Sequence, residues 1–279
     1  MLPAFVDKKP KFRYFSSMEP NGGGMNISAV IITFNEEGRL PAALDSLRGV
    51  ADEIVVVDSY SSDRTAEIAR QAQATVYQNH FEDYGQQKNF ALQKASHEWI
   101  LNLDADERVS PELQKAIAEL KKKKIPGNVA AFAIKRKTFY LGRWIRHSGW
   151  YPDKKVRLFR KSGSAWQGRI HERLQVTGDI ASLSGAILHF TYRDISDHVR
   201  RLNCYSTFLA EEIVRQKKKC LALRLFILPP VTFFRHYVWR LGFLDGFPGL
   251  VIATVSSWGT AMKYFKAMAS KRSPQGRQN

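Results

Sequence analysis

The chain has 279 residues, 44% of them hydrophobic and 12% aromatic, enough for one α/β domain of ordinary size plus an extension. A formal charge of +17 favours anionic partners: nucleic acid, an acidic bilayer or a phosphorylated substrate. The two cysteines, Cys204 and Cys220, lack metal-type spacing and exclude a disulfide framework, and no apolar run follows the opening Met as a signal peptide requires.

Residues 1–25 read as a flexible lead-in that runs through Asn21-Gly22-Gly23-Gly24, with Met25 an alternative start. From Ile27 a strand–helix alternation sets in. Ile27–Thr33 (ISAVIIT) is a nearly continuous apolar run, as a strand buried on both faces should be. Pro41 suits the first turn of a helix whose apolar face is Ala42, Ala43, Leu44 and Leu47. Glu53–Val57 is a second buried strand, and Asp63–Gln73 a helix with Ser61, Ser62 or Asp63 available as its cap. Thr75–Tyr77 is a short third strand, Tyr84–Ser96 a helix and Trp99–Leu103 a fourth strand. Ser110 as N-cap and Pro111 at the first helical position open another helix, which closes on Lys121–Lys124. This alternation predicts an α/β fold, a mainly parallel sheet with helices on both faces. After Ala130 the texture changes to strand-like pieces such as Ala131–Lys135 and Val156–Phe159, divided by Gly- and Trp-rich loops, an irregular and partly antiparallel extension.

In open parallel sheets ligands bind at the carboxyl ends of the strands. Here the first strand is followed by Phe34-Asn35-Glu36-Glu37, the second by Asp58-Ser59 and the fourth by Asp104-Ala105-Asp106-Glu107. Carboxylates gathered on one edge repel one another unless a cation or hydrogen-bond donors compensate. Asp104 and Asp106 lie two apart, so an irregular turn directs both toward one hard cation, Mg²⁺ or Mn²⁺. A plain acidic loop or helix cap is the alternative for any such pair.

The blocks AVIITFNEE, IVVVDSYSSDRT, YGQQKNFAL and WILNLDADE, in that order and spacing, resemble the family 2 glycosyltransferases of the GT-A (Rossmann-like) fold, strongly over residues 26–125 and more loosely over 150–190. The resemblance implies an inverting, metal-dependent transferase that uses a nucleotide-sugar. It places Thr33, Asn35 and Glu36 along the nucleotide, Asp58 at the base, and Lys88 and Asn89 near the donor. Asp104 falls near the ribose and metal, and Asp106 on the metal that bridges the diphosphate. Inverting transfer needs a carboxylate to take the proton of the acceptor hydroxyl. The segment GWYPDKKVRLFRKSGSAWQGRIHERL offers two, Glu172 first and Asp153 second, because the family's adjacent Glu-Asp pair is missing. His171 is a third metal ligand, a phosphate donor or a structural residue, and Arg157 and Arg160 suit phosphate.

The implied division is a catalytic domain over 26–195 and a helical, membrane-surface region over 196–279. Residues 221–265 are rich in Leu, Phe, Trp and Tyr, yet the longest uncharged stretch, 246–262, is marginal for a spanning helix. An element lying in the plane of the membrane, with basic residues toward the headgroups, fits better; a helical subdomain packed on the core is the alternative. From Thr191 on there are 15 Lys and Arg against 5 Asp and Glu, which suits an anionic membrane. Within the family the sequence is most similar to bacterial lipopolysaccharide core β-1,4-glucosyltransferases, a likeness to which Gly242–Leu250 (GFLDGFPGL) adds. That implies UDP-glucose as donor, an anionic inner-core glycolipid as acceptor, and the cytoplasmic face of the inner membrane as location, peripheral or monotopic.

Other readings remain open at this level. A polyprenyl phosphate or another envelope glycan would use the same donor site. A basic nucleic-acid-binding protein would share the charge, but no recognised RNA or DNA module is visible. A nucleotidyltransferase should carry a Gly-rich phosphate loop after the first strand, and Phe34-Asn35-Glu36-Glu37 is not one. A non-catalytic scaffold would leave the acidic positions idle.

Overall fold

A computed structural model describes residues 25–168 and 172–272. Nearly all of the expected lead-in and His171 lie outside them. By their internal contacts the described residues form two units: one runs to Arg136 and takes in Lys154–His189, and the other comprises Lys137–Asp153 and the chain from Phe190 on.

In the first unit the parallel part of the sheet is built from β1 (Ile27–Thr33), β2 (Glu53–Asp58), β3 (Thr75–Gln78) and β4 (Trp99–Asn102). β1 pairs with β2 on one side and β4 on the other, Val30 facing Val55 and Asn102, and β2 pairs with β3. The alternation of β1 sorts its side chains cleanly. Ile27, Ala29 and Ile31 enter a core with α1 (Leu40–Asp45), α2 (Thr65–Gln71) and α4 (Pro111–Lys121), whereas Val30 enters another with α3 (Tyr84–Lys94). Helices therefore cover both faces. Ile27 and Ile31 are fully buried, and burying each such side chain contributes about 1.5–3 kcal/mol before entropy is counted. Ser28, buried in the same run, is satisfied by Glu53 and by the N–H of His97.

The sheet is mixed rather than mainly parallel. Its order is β3-β2-β1-β4-β8-β6-β11-β5, with β5 Glu107–Val109, β6 Val129–Tyr140, β8 Asp153–Arg160 and β11 Asp179–His189. β8 lies antiparallel to β4, with Leu101 facing Leu158, and β5 lies antiparallel to β11, with Glu107 facing His189. β5 falls where the sequence gives only an acidic turn. A separate hairpin joins β9 (Ser164–Gln167) to β10 (Arg173–Val176). Caps set the helix starts. Ser110 accepts the N–H of Leu113 at 3.2 Å with Pro111 behind it, as expected, and Asp83 caps α3 through the N–H of Gln86 at 2.8 Å. Asp63 serves α2 from just outside the helix, accepting the N–H of Thr65 at 3.0 Å.

In the second unit the far end of β6 pairs with β7 (Arg143–Trp144), Phe139 opposite Trp144. Three helices follow: α5 (Ile195–Arg215), α6 (Leu221–Phe234) and α7 (Phe247–Arg272). Asp194 caps α5. A π-helical turn (Arg235–Trp239) and a 3-10 turn (Gly242–Asp245) connect α6 to α7. The carboxylate of Asp245 is buried and accepts the N–H groups of Arg146 and His147 at 3.0 and 2.9 Å, tying these turns to the loop after β7. At Gly249 a Cβ would meet the Gly242 carbonyl oxygen at 1.9 Å, so only glycine lets α7 start this close to the 3-10 turn. Among the described residues no helix is long and apolar enough to cross a membrane.

Candidate active site

The site is built on the carboxyl ends of β1, β2 and β4 in the first unit. The loops after β1 and β2 are laced together by hydrogen bonds. Asn35, in the left-handed region at φ 54° that Asn tolerates, donates its N–H to Ser61 Oγ at 2.8 Å and accepts the N–H of Ser62 at 2.9 Å. The Glu36 N–H reaches Thr65 Oγ1 at 2.8 Å, and Glu37 accepts the N–H of Arg64 at 3.1 Å. Asp58 sits beneath them with no exposure, its oxygens taken by the Thr33 hydroxyl at 3.0 Å and by the N–H and hydroxyl of Ser61. Its contacts tie the two loops together. Beside it, Tyr60 and His80 stack with ring centroids 4.2 Å apart.

After β4 the chain turns through Asp104, Ala105 and Asp106 into β5. Arg157, projecting from β8, donates to Asp104 at 2.8 Å and to Glu107 at 2.6 Å. Glu107 accepts the N–H of Asp104 at 3.1 Å, and Arg136 stands 3.5 Å from it. Burial alone would push the Asp104 carboxyl up, but Arg157 and then Lys88 hold it well below the usual carboxylate range. Glu107 moves the other way: burial pushes it up, Arg157 offsets part of that, and the charge of Asp104 adds to the rise. Arg157, although buried, is held further toward its charged form by the two carboxylates. This guanidinium, expected at phosphate, is 5% exposed and bonded to the two carboxylates.

Lys88, on α3, is also buried. Its ammonium lies 2.7 Å from Glu172, 3.7 Å from Asp104 and 4.5 Å above the Trp166 ring. One cation thus joins Asp104, after β4, to the favoured base candidate. Asn89 clips α3 to β9, donating to the Trp166 carbonyl and accepting its N–H, both at 2.9 Å. Asp153 opens β8 and belongs by its contacts to the second unit. Asp106 has a lighter commitment than Asp104, with His189 Nε2 at 3.5 Å.

Among the described residues no three His, Cys, Asp or Glu side chains converge closely enough to hold a metal alone. The donor set still fits a hard divalent ion. Asp106 offers carboxylate oxygens with an imidazole nitrogen nearby, Asp104 is a third exposed, and Mg²⁺ ordinarily takes one or two carboxylates and completes its shell with phosphate oxygens and water. Sequence reasoning missed Glu107, Arg136 and His189. Glu107 was in view beside the pair, but its strand partner is His189 at the end of β11, a pairing with no local signal.

The family model for glycosyl transferase family 2 matches residues 28–173. A glycosyltransferase of Rickettsia typhi is 30% identical over 250 residues, 86% of either chain. The chain is a family 2 glycosyltransferase. This transferase is also 30% identical over 260 residues to the lipopolysaccharide core biosynthesis glycosyltransferase LpsC of Rhizobium meliloti, over 89% of this chain and 95% of that one. Among solved structures it is similar to glucosyl-3-phosphoglycerate synthase of Mycobacterium tuberculosis in complex with Mn²⁺, UDP and glucosyl-3-phosphoglycerate. The identity there is 23% and the TM-score 0.33, over 43% of the transferase and 45% of that chain, so the transferase spans less than half of its length.

Proposed function

We propose that this glycosyltransferase moves glucose from UDP-glucose, with inversion, to the lipopolysaccharide inner core or a similar anionic envelope glycolipid. The observation that carries the chemistry is the convergence of Asp104, Lys88 and Glu172 at the end of β4, with Asp106 and His189 alongside. Mg²⁺ or Mn²⁺ is held by Asp106, assisted by Asp104, with His189 a further ligand; it supplies positive charge against the leaving diphosphate. Asp106 is the better primary ligand because Arg157 and Lys88 already compensate Asp104. The acceptor hydroxyl attacks the anomeric carbon as the bond to UDP breaks, and its proton passes to Glu172.

Likeness to LpsC along almost the whole chain supports an envelope-glycan acceptor. The first unit carries donor binding and catalysis, while the helical second unit meets the inner-membrane surface where a lipid-anchored acceptor resides. The test is UDP release from a panel of UDP-sugars with Mn²⁺ or Mg²⁺ and then with chelator, with and without lipopolysaccharide core acceptor. Metal-dependent release from UDP-glucose, boosted by that acceptor, is expected. Release boosted only by a polyprenyl phosphate would replace the acceptor, and no release from any UDP-sugar would overturn the donor.

A further inference from the structure

α6 has two faces with different fates. Leu221, Leu225 and Leu228 pack in a core with Tyr264 and Ala267 of α7, and Thr232 and Pro229 meet Thr260 and Ser257 of the same helix. The other face carries Leu223, Phe226, Ile227, Val231 and Phe234, all exposed, Phe226 at 77%. Their spacing of three and four residues places them on one stripe, and among the described residues nothing covers it. Beyond the helix end the apolar surface continues through Trp239, 72% exposed, and on to Phe243, Leu244 and Phe247. An exposed apolar surface of this extent marks an interaction site.

Charge decides what covers it. From Ile213 to the end of the sequence the one acidic residue is Asp245, which is buried and engaged by backbone N–H groups. The stripe is flanked by Arg224, Arg235 and Arg240, all exposed. In a twofold dimer through this face the same cations would confront their own copies. Anionic headgroups would neutralise them instead.

The backbone decides how deep the element sits. α6 has 14 residues, about 21 Å at the α-helical rise, short of the ~30 Å hydrocarbon core. Pro229 and Pro230 inside it remove the N–H groups that would serve the carbonyls one turn earlier. Carbonyls short of donors are tolerable among headgroups and water and costly in hydrocarbon.

We infer that α6, with the π-helical turn and the 3-10 turn after it, is a monotopic membrane anchor lying in the plane of an anionic monolayer. Phe226, Phe234 and Trp239 enter the acyl region and Arg224, Arg235 and Arg240 sit at the headgroups. This rests on the membrane location proposed above and gives it a contact face.

The experiment is co-sedimentation of the full chain with vesicles of equal parts phosphatidylglycerol and phosphatidylcholine, or of phosphatidylcholine alone. Wild type is expected on the anionic vesicles and largely absent from the neutral ones. Phe226→Ser with Phe234→Ser should lower the partition coefficient at least about tenfold, as losing the transfer of two Phe side chains requires, with thermal unfolding and acceptor-free UDP release unchanged. Wild type that ignores anionic vesicles, or a double variant that binds as well as wild type, overturns the anchor. So does a wild-type dimer that the double variant abolishes, without vesicle binding. Vesicle binding by a protein that transfers nothing to lipopolysaccharide core would leave the anchor standing and remove the acceptor assignment. Transfer to a delipidated core without vesicle binding would do the reverse.

Discussion

Glu107, with no solvent exposure, accepts the backbone N–H of Asp104 at 3.1 Å. The residue one place beyond the Asp104–Asp106 pair therefore fixes the turn that aims it. Arg157 closes the arrangement from β8, touching the Asp104 side chain and the Glu107 carboxylate with one terminal nitrogen.

Removing one member of a buried ion cluster leaves the others uncompensated. Glu107→Ala should cost about 3 kcal/mol, the lower part of the range for breaking a buried pair, read by urea denaturation. Glu107→Gln keeps an acceptor for the Asp104 N–H while losing the charge. It should lower Mn²⁺ affinity about tenfold, as outer-shell changes at metal sites do, measured by electron paramagnetic resonance titration.

Asp106→Ala should abolish Mn²⁺ binding and metal-dependent UDP release while the circular dichroism spectrum stays that of wild type. Activity at the wild-type level in this variant would move the metal off Asp106.

Glu172→Gln should keep UDP-glucose binding and lose transfer by about 10²–10⁴-fold, the contribution of a general base. Isothermal titration gives the first quantity and single-turnover transfer the second. If Asp153→Asn alone gave this pattern, the base would be Asp153.

In the second unit His198 stacks on Tyr192 with centroids 4.1 Å apart, and its Nδ1 lies 2.9 Å from the Tyr140 hydroxyl. Burial pushes the imidazole down from 6.5 to about 4, opposed in part by Asp197. The folded state then binds fewer protons than the unfolded state between those values, so stability rises with pH there. The contribution is fully present above pH 6.5 and is lost as pH falls toward 4, on the order of 3 kcal/mol in all. His198→Gln should remove this slope, seen as a smaller difference between urea midpoints at pH 7 and pH 4.5 than in wild type.

The sequence made the parallel half of the fold legible because each of its strands announces itself locally. Ile27–Thr33 and Glu53–Asp58 are apolar runs closed by polar residues, and Ser110-Pro111 marks a helix start that the structure keeps. What escaped is what depends on distant pairing. β8 enters beside β4 in the opposite sense, which buries Arg157 against Asp104 and Glu107. β5 exists only because β11 pairs with it, and that pairing ends on His189 beside the acidic turn. Pro229 and Pro230 both lie within α6, where Ser257 of α7 bonds the Pro229 carbonyl. Of the candidate site, the carboxylates were readable from their places after strands; the cations that govern them come from other parts of the chain.

The cluster around Arg157 joins parts of the chain that are synthesised at different times. Strands β1 to β4 pair among themselves, and the laced loops need nothing beyond Thr65. Asp104 and Glu107 leave the ribosome with this half but wait some fifty residues for Arg157, the separation recorded in their hydrogen bonds being 53 and 50 residues. Until then two neighbouring carboxylates repel each other and resist burial. The edge formed by the loops after β1 and β2 is complete within the first 65 residues, whereas the acidic turn has no buried counter-charge from Arg157 until β8 has been made.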